Sequence, residues 1–242
     1  MNIAVIPARG GSKRIPRKNL KLFCGKPIIA YSIEAARTSG LFDRIIVSTD
    51  DEEIVETALA YGAETPFRRP SDLSDDNTPT IPVIRHAIEW ADQNWSRPVC
   101  ICCIYATAPF VQNSDLRDGY KKLIDNPGTG FVFPATTFAF SIFRALKMND
   151  NGTVGMFWPE HEITRSQDLP EAYHDAGQFY WGTRDAWLKN EGIFTGNARI
   201  VPLPPYRVQD IDTADDWKRA EIMFQSLSTE IDEGHAKHSH TN

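Results

Sequence analysis

IAVIPARGGSKRIPRKN, residues Ile3 to Asn19, decides how the rest of the chain is read. Ile3 to Ile6 is a short run of small and branched apolar residues, as in a strand buried on both faces. Pro7 ends it, because proline has no backbone N–H to give a ladder. Beyond it Gly10, Gly11 and Ser12 are set among Arg9, Lys13, Arg14, Arg17 and Lys18. Glycines let the backbone approach an anion closely and turn successive N–H groups toward it, while the cations offset its charge. A solvated basic loop would look similar, but α/β sheets hold ligands in the loops that leave buried strands, which favours a polyphosphate. The spacing matches neither G-x-x-x-x-G-K-[ST] nor G-x-G-x-x-G, so an ATPase P-loop and a dinucleotide site are both unsupported.

Outward from this stretch the chain alternates strand and helix. Pro27 stands at a first helical turn, Ile28, Ile29, Tyr31, Ser32, Ala35 and Ala36 recur at helical spacing, and Gly40 closes the element. Arg44 to Ser48 is a second strand and Asp50 to Tyr61 a second helix, whose Asp50-Asp51-Glu52-Glu53 start suits a cap and first turn better than a metal site. Glu64 to Phe67 is a short third strand, Val99 to Tyr105 a long fourth, and Thr129 to Ala135 a fifth. Amphipathic helices are predicted from Ile81 to Trp95 and from the cap Ser114 to Asn126. Crossover helices between short apolar strands imply a Rossmann-like, mostly parallel α/β sheet with helices on both faces, in a single domain over 1–242.

Composition narrows the class. In 242 residues the chain is 41% hydrophobic and 24% charged, as in a soluble globular protein, and it holds no apolar run of membrane-spanning length. No leader with a cleavage site is visible, so the cytoplasm is the expected compartment. Cys100, Cys102 and Cys103 fall on one predicted strand, where neighbours face opposite ways, so they read as core residues and not as a zinc set. Net charge is −6, yet the first 26 residues hold seven cations and no acid. A local anion site in an acidic protein fits a small phosphorylated ligand better than a nucleic acid.

IPARGGSKRIPRKN, then GKPIIAYSIEAA, then DRIIVSTDDEEI, resembles the start of the cytidylyltransferases that activate nine- and eight-carbon ulosonic acids as CMP-sugars. The similarity runs to about Trp217 and is greatest to the pseudaminic acid branch of the CMP-sialic acid synthetase family. It implies transfer of CMP from CTP to the anomeric hydroxyl of a nonulosonic acid, with release of pyrophosphate. Ala8, Arg9, Gly10, Gly11, Ser12, Lys13, Lys18 and Asn19 then form the nucleotide-binding set, with Arg69 and Thr80 added by the resemblance alone. Without it, Arg69 is a loop cation in RRPSDLSDDNTPT, a turn-rich segment able to reach over a nucleotide, and Thr80 a helix cap.

At the end of the fourth strand, sialic acid enzymes carry a Gln-Pro-Thr-Ser-Pro-like element with a polar residue where this chain has Tyr105, so the resemblance points away from sialic acid. YHDAGQFYWG, residues 173–182, supplies Asp175, Gln178, Tyr180 and Trp181, hydrogen-bonding groups among flat surfaces as expected around a sugar. His174 and His86 read as structural. From Thr136 to Leu169 helical periodicity gives way to aromatics alternating with polar residues around a turn at Asn149 to Gly152. This predicts an antiparallel insertion over 136–169 that packs against a second copy, as is common in the family; a lid or core extension is the competing reading.

VQDIDTADDW, residues 208–217, is the second chemical feature. In an extended segment Asp210 and Asp212 share a face while Ile211 turns inward. Two adjacent carboxylates call for a cation, and Mg2+ takes one or two carboxylates together with phosphate oxygens. The same DID element holds the metal in the family that the chain resembles. Thr213 and Asp216 form a capping box for a last helix, and residues 228–242 read as a flexible tail. Arg9, Lys18 and Asp212 are the expected catalytic residues, CTP and a nonulosonic acid the expected partners, and a homodimer the expected assembly. Activation of sialic acid, legionaminic acid or Kdo, and a non-catalytic nucleotide-binding subunit, are the alternatives. All of it requires the glycine turn and the two aspartates to meet over one triphosphate.

Overall fold

A computed structural model describes residues 1–189 and 192–238, the side chains of 228–238 excepted. In chain order the elements are β1 (Asn2–Pro7), β2 (Leu22–Phe23), β3 (Lys26–Pro27), α1 (Ile28–Ser39), β4 (Arg44–Ser48), α2 (Glu52–Ala60) and α3 (Thr80–Asn94). They continue with β5 (Cys100–Ile104), α4 (Asn113–Asp125), β6 (Phe131–Thr137), β7 (Leu146–Met148), β8 (Val154–Met156) and β9 (Tyr173–Asp175). β10 (Phe179–Thr183), α5 (Arg184–Lys189), β11 (Arg199–Pro202) and α6 (Ala214–His238) complete them.

The main sheet has the order β11-β6-β10-β5-β1-β4, with β9 also pairing to β6. β1, β4, β5, β6 and β11 run one way and β9 and β10 the other, so five of seven strands are parallel. β1 lies centrally, with β4 on one side and β5 on the other. From β1 the chain crosses to β4 through α1, and from β4 it returns to the far side of β1 through α2 and α3. The crevice opens where those connections diverge, at the carboxyl ends of β1 and β5.

Alternating side chains feed two separate cores. Ala4, Ile6 and Cys102 pack on one face with α1, while Ile3, Val5 and Cys103 pack on the other with α3. This is the alternation that excludes a three-cysteine metal site, and all four cysteines are free. A third cluster joins Ile15, Phe23 and Ile28 to Phe110, Ile211 and Trp217, so the loop after β1 and the segment before α6 share a core.

Several boundaries differ from expectation. The Glu64–Phe67 strand reduces to one bridge, Ile46 with Glu64, because the chain leaves the edge of β4 after Glu64 exchanges hydrogen bonds with Ile45 and Val47. The fifth strand starts two residues later than expected, at Phe131. Gly40 does cap α1 in the left-handed region, with φ 68°. β7 and β8 form the antiparallel hairpin expected inside the insertion, turning at Gly152 with φ 80°. α6 runs through residues 228–238 of the segment read as a tail, and residues 239–242 lie outside those described.

Candidate active site

The loop after β1 is pinned by its own backbone partners. Ala8 N–H donates to the carbonyl of Ser48 at 2.9 Å, prolonging the β1–β4 ladder by one residue. Gly10 N–H donates to Asp50 Oδ1 at 3.1 Å, and Asn19 Nδ2 donates to the carbonyl of Arg9 at 2.9 Å, drawing both ends of the loop together. A Cβ at Gly10 would collide with the Asp51 carboxylate, which is why a glycine stands there. Arg17 adopts φ 53° and turns its guanidinium away from the loop, onto Asp51 and Glu53 at the start of α2. Asp51 also accepts from Ile54 N–H as the helix cap, as expected of the acidic run. The Arg17 guanidinium holds its carboxyl below the usual range.

A cavity of about 600 Å³ opens beside this loop. Arg9, Ser12, Lys13, Lys18 and Asn19 line one side; Arg69, the 70–79 segment and Thr80 the other; and Tyr105 to Thr107 close the end. Ala8, Gly10 and Gly11 lie outside the lining, and the Gly10 amide is already engaged by Asp50. Arg69 is buried, with its Nη2 lacking a hydrogen-bond partner and the nearest carboxylate, that of Asp50, 3.6 Å away. Burial opposes its charge and Asp50 offsets part of that, so an anion in the cavity would satisfy the remaining donor. Arg9 and Lys13 both pair with Asp76 on the 70–79 segment.

The aspartates near the carboxyl end lie outside the cavity lining, but Asp212 pairs with two residues that line it, Lys18 and Arg14. Lys18 Nζ donates to the carbonyl of Ile211 at 2.7 Å and lies 3.3 Å from Asp212 Oδ1, while Arg14 Nη1 is 2.9 Å from Asp212 Oδ2. Asp210 is exposed at the surface. Burial first, and the Asp212 charge second, push its carboxyl above the usual range, only partly relieved by Lys18. Among the described residues no group of three or more His, Cys, Asp or Glu side chains could hold a metal. Two hard carboxylates close in sequence, the charge of one acting on the other, nevertheless fit a cation that takes its other ligands from phosphate and water. The capping box is present: Asp216 N–H donates to Thr213 Oγ1 at 3.2 Å and Thr213 N–H to Asp216 Oδ2 at 2.9 Å.

The sugar candidates divide. Tyr105 lines the cavity, its Oη 3.3 Å from Thr80 Oγ1. Tyr180 lies behind it in tilted ring contact and donates its hydroxyl to Asp175, whose other oxygen accepts from Gly177 N–H. Burial pushes both phenols up, Tyr180 far up, so they remain protonated. Gln178 is buried and donates to the carbonyl of Arg207, and neither it nor Asp175 or Tyr180 reaches the cavity wall. Trp181 is wholly core, with Nε1 donating to Leu116, so its flat face is not available to a sugar. His86 packs edge-on to Phe67, and His174 lies against Phe138. Asp76, Asp115 and Arg207 were not singled out from sequence. Their contacts span 63 to 92 positions and leave no periodic trace.

A crossover sheet whose central strands open onto a cationic cavity of about 600 Å³, with Asp212 paired to the lining residues Lys18 and Arg14, has the architecture of an α/β nucleotidyltransferase. Residues 3–219 match the cytidylyltransferase family, and the chain belongs to that family. It is 49% identical to a pseudaminic acid cytidylyltransferase of Campylobacter jejuni, over 93% of this chain and 96% of that one. It is 48% identical to a CMP-N,N'-diacetyllegionaminic acid synthase of Legionella pneumophila, over 92% and 96%. Among solved structures, a CMP-2-keto-3-deoxy-manno-octonic acid synthetase complexed with CTP superposes with TM-score 0.69 at 18% identity, over 93% of this chain and 99% of that one, a likeness of fold.

Proposed function

We propose that this chain transfers CMP from CTP to the anomeric hydroxyl of pseudaminic acid, releasing pyrophosphate. The observation that supports the proposal is the Lys18 ammonium, which lines the cavity and joins the loop after β1 to Ile211 and Asp212, 193 and 194 positions away. Arg9, Lys13, Lys18 and Arg69 hold the phosphates, exchanging their carboxylate partners for phosphate oxygens. Ser12, Asn19 and Thr80 contact the nucleotide. The sugar hydroxyl attacks the α-phosphorus in line as pyrophosphate leaves, so positioning and charge stabilisation by Arg9 and Lys18 carry the rate. Asp210 and Asp212 would hold Mg2+, which supplies Lewis acidity and charge neutralisation when bound. Tyr105 faces the sugar, and Asp175 orients it through Tyr180.

We take the protein to act as a homodimer through residues 136–169, and in the cytoplasm. No described helix is long and apolar enough to cross a membrane, and the need for CTP supports that compartment. Legionaminic acid is the second reading, since CMP-N,N'-diacetyllegionaminic acid synthases are among the relatives. The test supplies CTP and Mg2+ with pseudaminic, legionaminic, sialic or Kdo acid and measures pyrophosphate. The proposal expects the highest kcat/KM for pseudaminic acid. A higher value for legionaminic acid would overturn the sugar, and no pyrophosphate from any of them the reaction.

A further inference from the structure

The segment that carries Asp210 and Asp212 has little structure of its own. Between β11 and α6 the backbone passes through one 3-10 turn at Pro205–Arg207 and then belongs to no strand or helix. Carboxylates on an unanchored segment would sample many separations from Lys18, and a shift of about 1 Å in a reacting group can cost two orders of magnitude in rate. Something must therefore fix this piece of backbone.

A buried clasp does so. Arg207 and Asp115, in the first turn of α4, are each 8% exposed, and Arg207 Nη2 donates to Asp115 Oδ1 at 3.0 Å. Gln178, 3% exposed and just ahead of β10, donates from Nε2 to the carbonyl of Arg207 at 2.8 Å. The carbonyl of Gln178 accepts from Tyr105 N–H at 2.9 Å. One residue thus ties the cavity wall at Tyr105 to a point three positions before Asp210. Ile211, buried beside Ile15, and its carbonyl, held by Lys18, supply the next anchor.

Stability alone does not account for the clasp. Taking an Arg–Asp pair out of water costs roughly what the pairing returns, and an apolar pair of equal volume would often serve as well. Moreover Asp115 Oδ2 and Gln178 Oε1 are buried without hydrogen-bond partners. A network that leaves two acceptors unpaired is expensive filler, whereas its directional bonds fix the place of one backbone carbonyl.

We propose that Gln178, Arg207 and Asp115 are positioning residues that set Asp210 and Asp212 against Lys18. Gln178 in this role acts on the metal side of the site and not as a sugar contact. The proposal rests on the cytidylyl-transfer reading and its carboxylate pair. The test uses the full chain and two near-isosteric variants, Gln178→Met and Asp115→Asn, with Asp212→Ala as control. Mn2+ binding is followed by electron paramagnetic resonance, CTP binding by calorimetry without metal, and initial rate as a function of Mg2+ at saturating CTP.

Gln178→Met should weaken Mn2+ binding, and raise the Mg2+ concentration for half-maximal rate, by about tenfold, the usual effect of removing a partner that orients a ligand. Metal-free CTP binding should be unchanged, and excess Mg2+ should restore the maximal rate. Asp115→Asn should move the same quantities in the same direction, and serves if Gln178→Met does not fold. A lower melting temperature with unchanged Mn2+ affinity in both variants would make the clasp mere packing and overturn the proposal. If Asp212→Ala binds Mn2+ as well as the parent chain, the carboxylate-pair reading itself fails, a distinguishable result.

Discussion

Lys18 and Asp212 show what a single side chain contributes here. The ammonium holds a carbonyl and a carboxylate of a segment nearly two hundred positions away, and a phosphate would complete its three donors. Asp212→Ala should cut kcat by at least about a hundredfold, the scale of removing one group that stabilises transition-state charge, while metal-free CTP binding survives. Lys18→Ala should weaken both; isothermal titration and pyrophosphate assay separate the two. Asp210 makes a prediction about pH. Its folded-state carboxyl is raised by burial and by Asp212, so the folded chain keeps a proton that the unfolded chain has released. Stability from this group is full below the ordinary carboxylate pKa and is lost as pH rises through the raised value. Without divalent cations, Asp210→Asn should therefore melt higher than the parent at pH 7, and the gap should close near pH 4; Mn2+ binding by the parent should weaken over the same descent. The nearness of Lys18 to Asp212 was legible in the sequence because motif and charge stand together at both ends. Gln178 and Trp181 were misleading: Trp181 lies on β10, which is buried on both faces, and Gln178 is buried just ahead of it, so neither side chain's type advertises which way it points.

Among elements, the 70–79 segment behaves as an internal stand-in for the ligand. Asp76 engages Arg9 and Lys13, two of the cations that triphosphate would claim. Asp75 stiffens the turn by accepting from Asn77 N–H, Thr78 N–H and Thr78 Oγ1, so the segment presents Asp76 in one pose. Asp76→Ala should then tighten CTP binding by about threefold, in keeping with the small worth of exposed ion pairs, and should steepen its salt dependence, because the freed cations add to the attraction that salt screens. Titration of CTP at two ionic strengths checks this. Gly10→Ala should do the reverse, weakening CTP by about tenfold, because the new methyl displaces Asp51 and with it the turn held by Arg17. At this scale the sequence was most informative: strand and helix alternation, the Gly40 stop and the hairpin turn all follow from local chemistry. The Glu64 strand shrank to a bridge because edge pairing depends on where the following loop is drawn, and Arg69, bonded to Thr49, draws it back over the cavity.

For the whole molecule, the insertion between β6 and β9 stands out. Phe140 is 88% and Ile163 94% exposed, in company with Met148 and Val154, an apolar surface that a solitary chain gains nothing by showing to water. A second copy is the occupant proposed for it. Light scattering should give twice the 27.3 kDa of one chain, and Ile163→Asp, which touches no core, should return the mass to that of one chain.

The third hydrophobic cluster fixes an order of events. The main sheet is complete once β11 has emerged from the ribosome, but Ile211, Trp217 and Ala220, which roof Ile15, Phe23 and Ile28, are synthesised afterwards. A nascent chain that has released β11 but not residues 208–220 would therefore leave Ile15, Phe23 and Ile28 bare and lack the proposed carboxylate pair. A version halted before Val208 should be well structured, sticky toward chaperones and chemically inert.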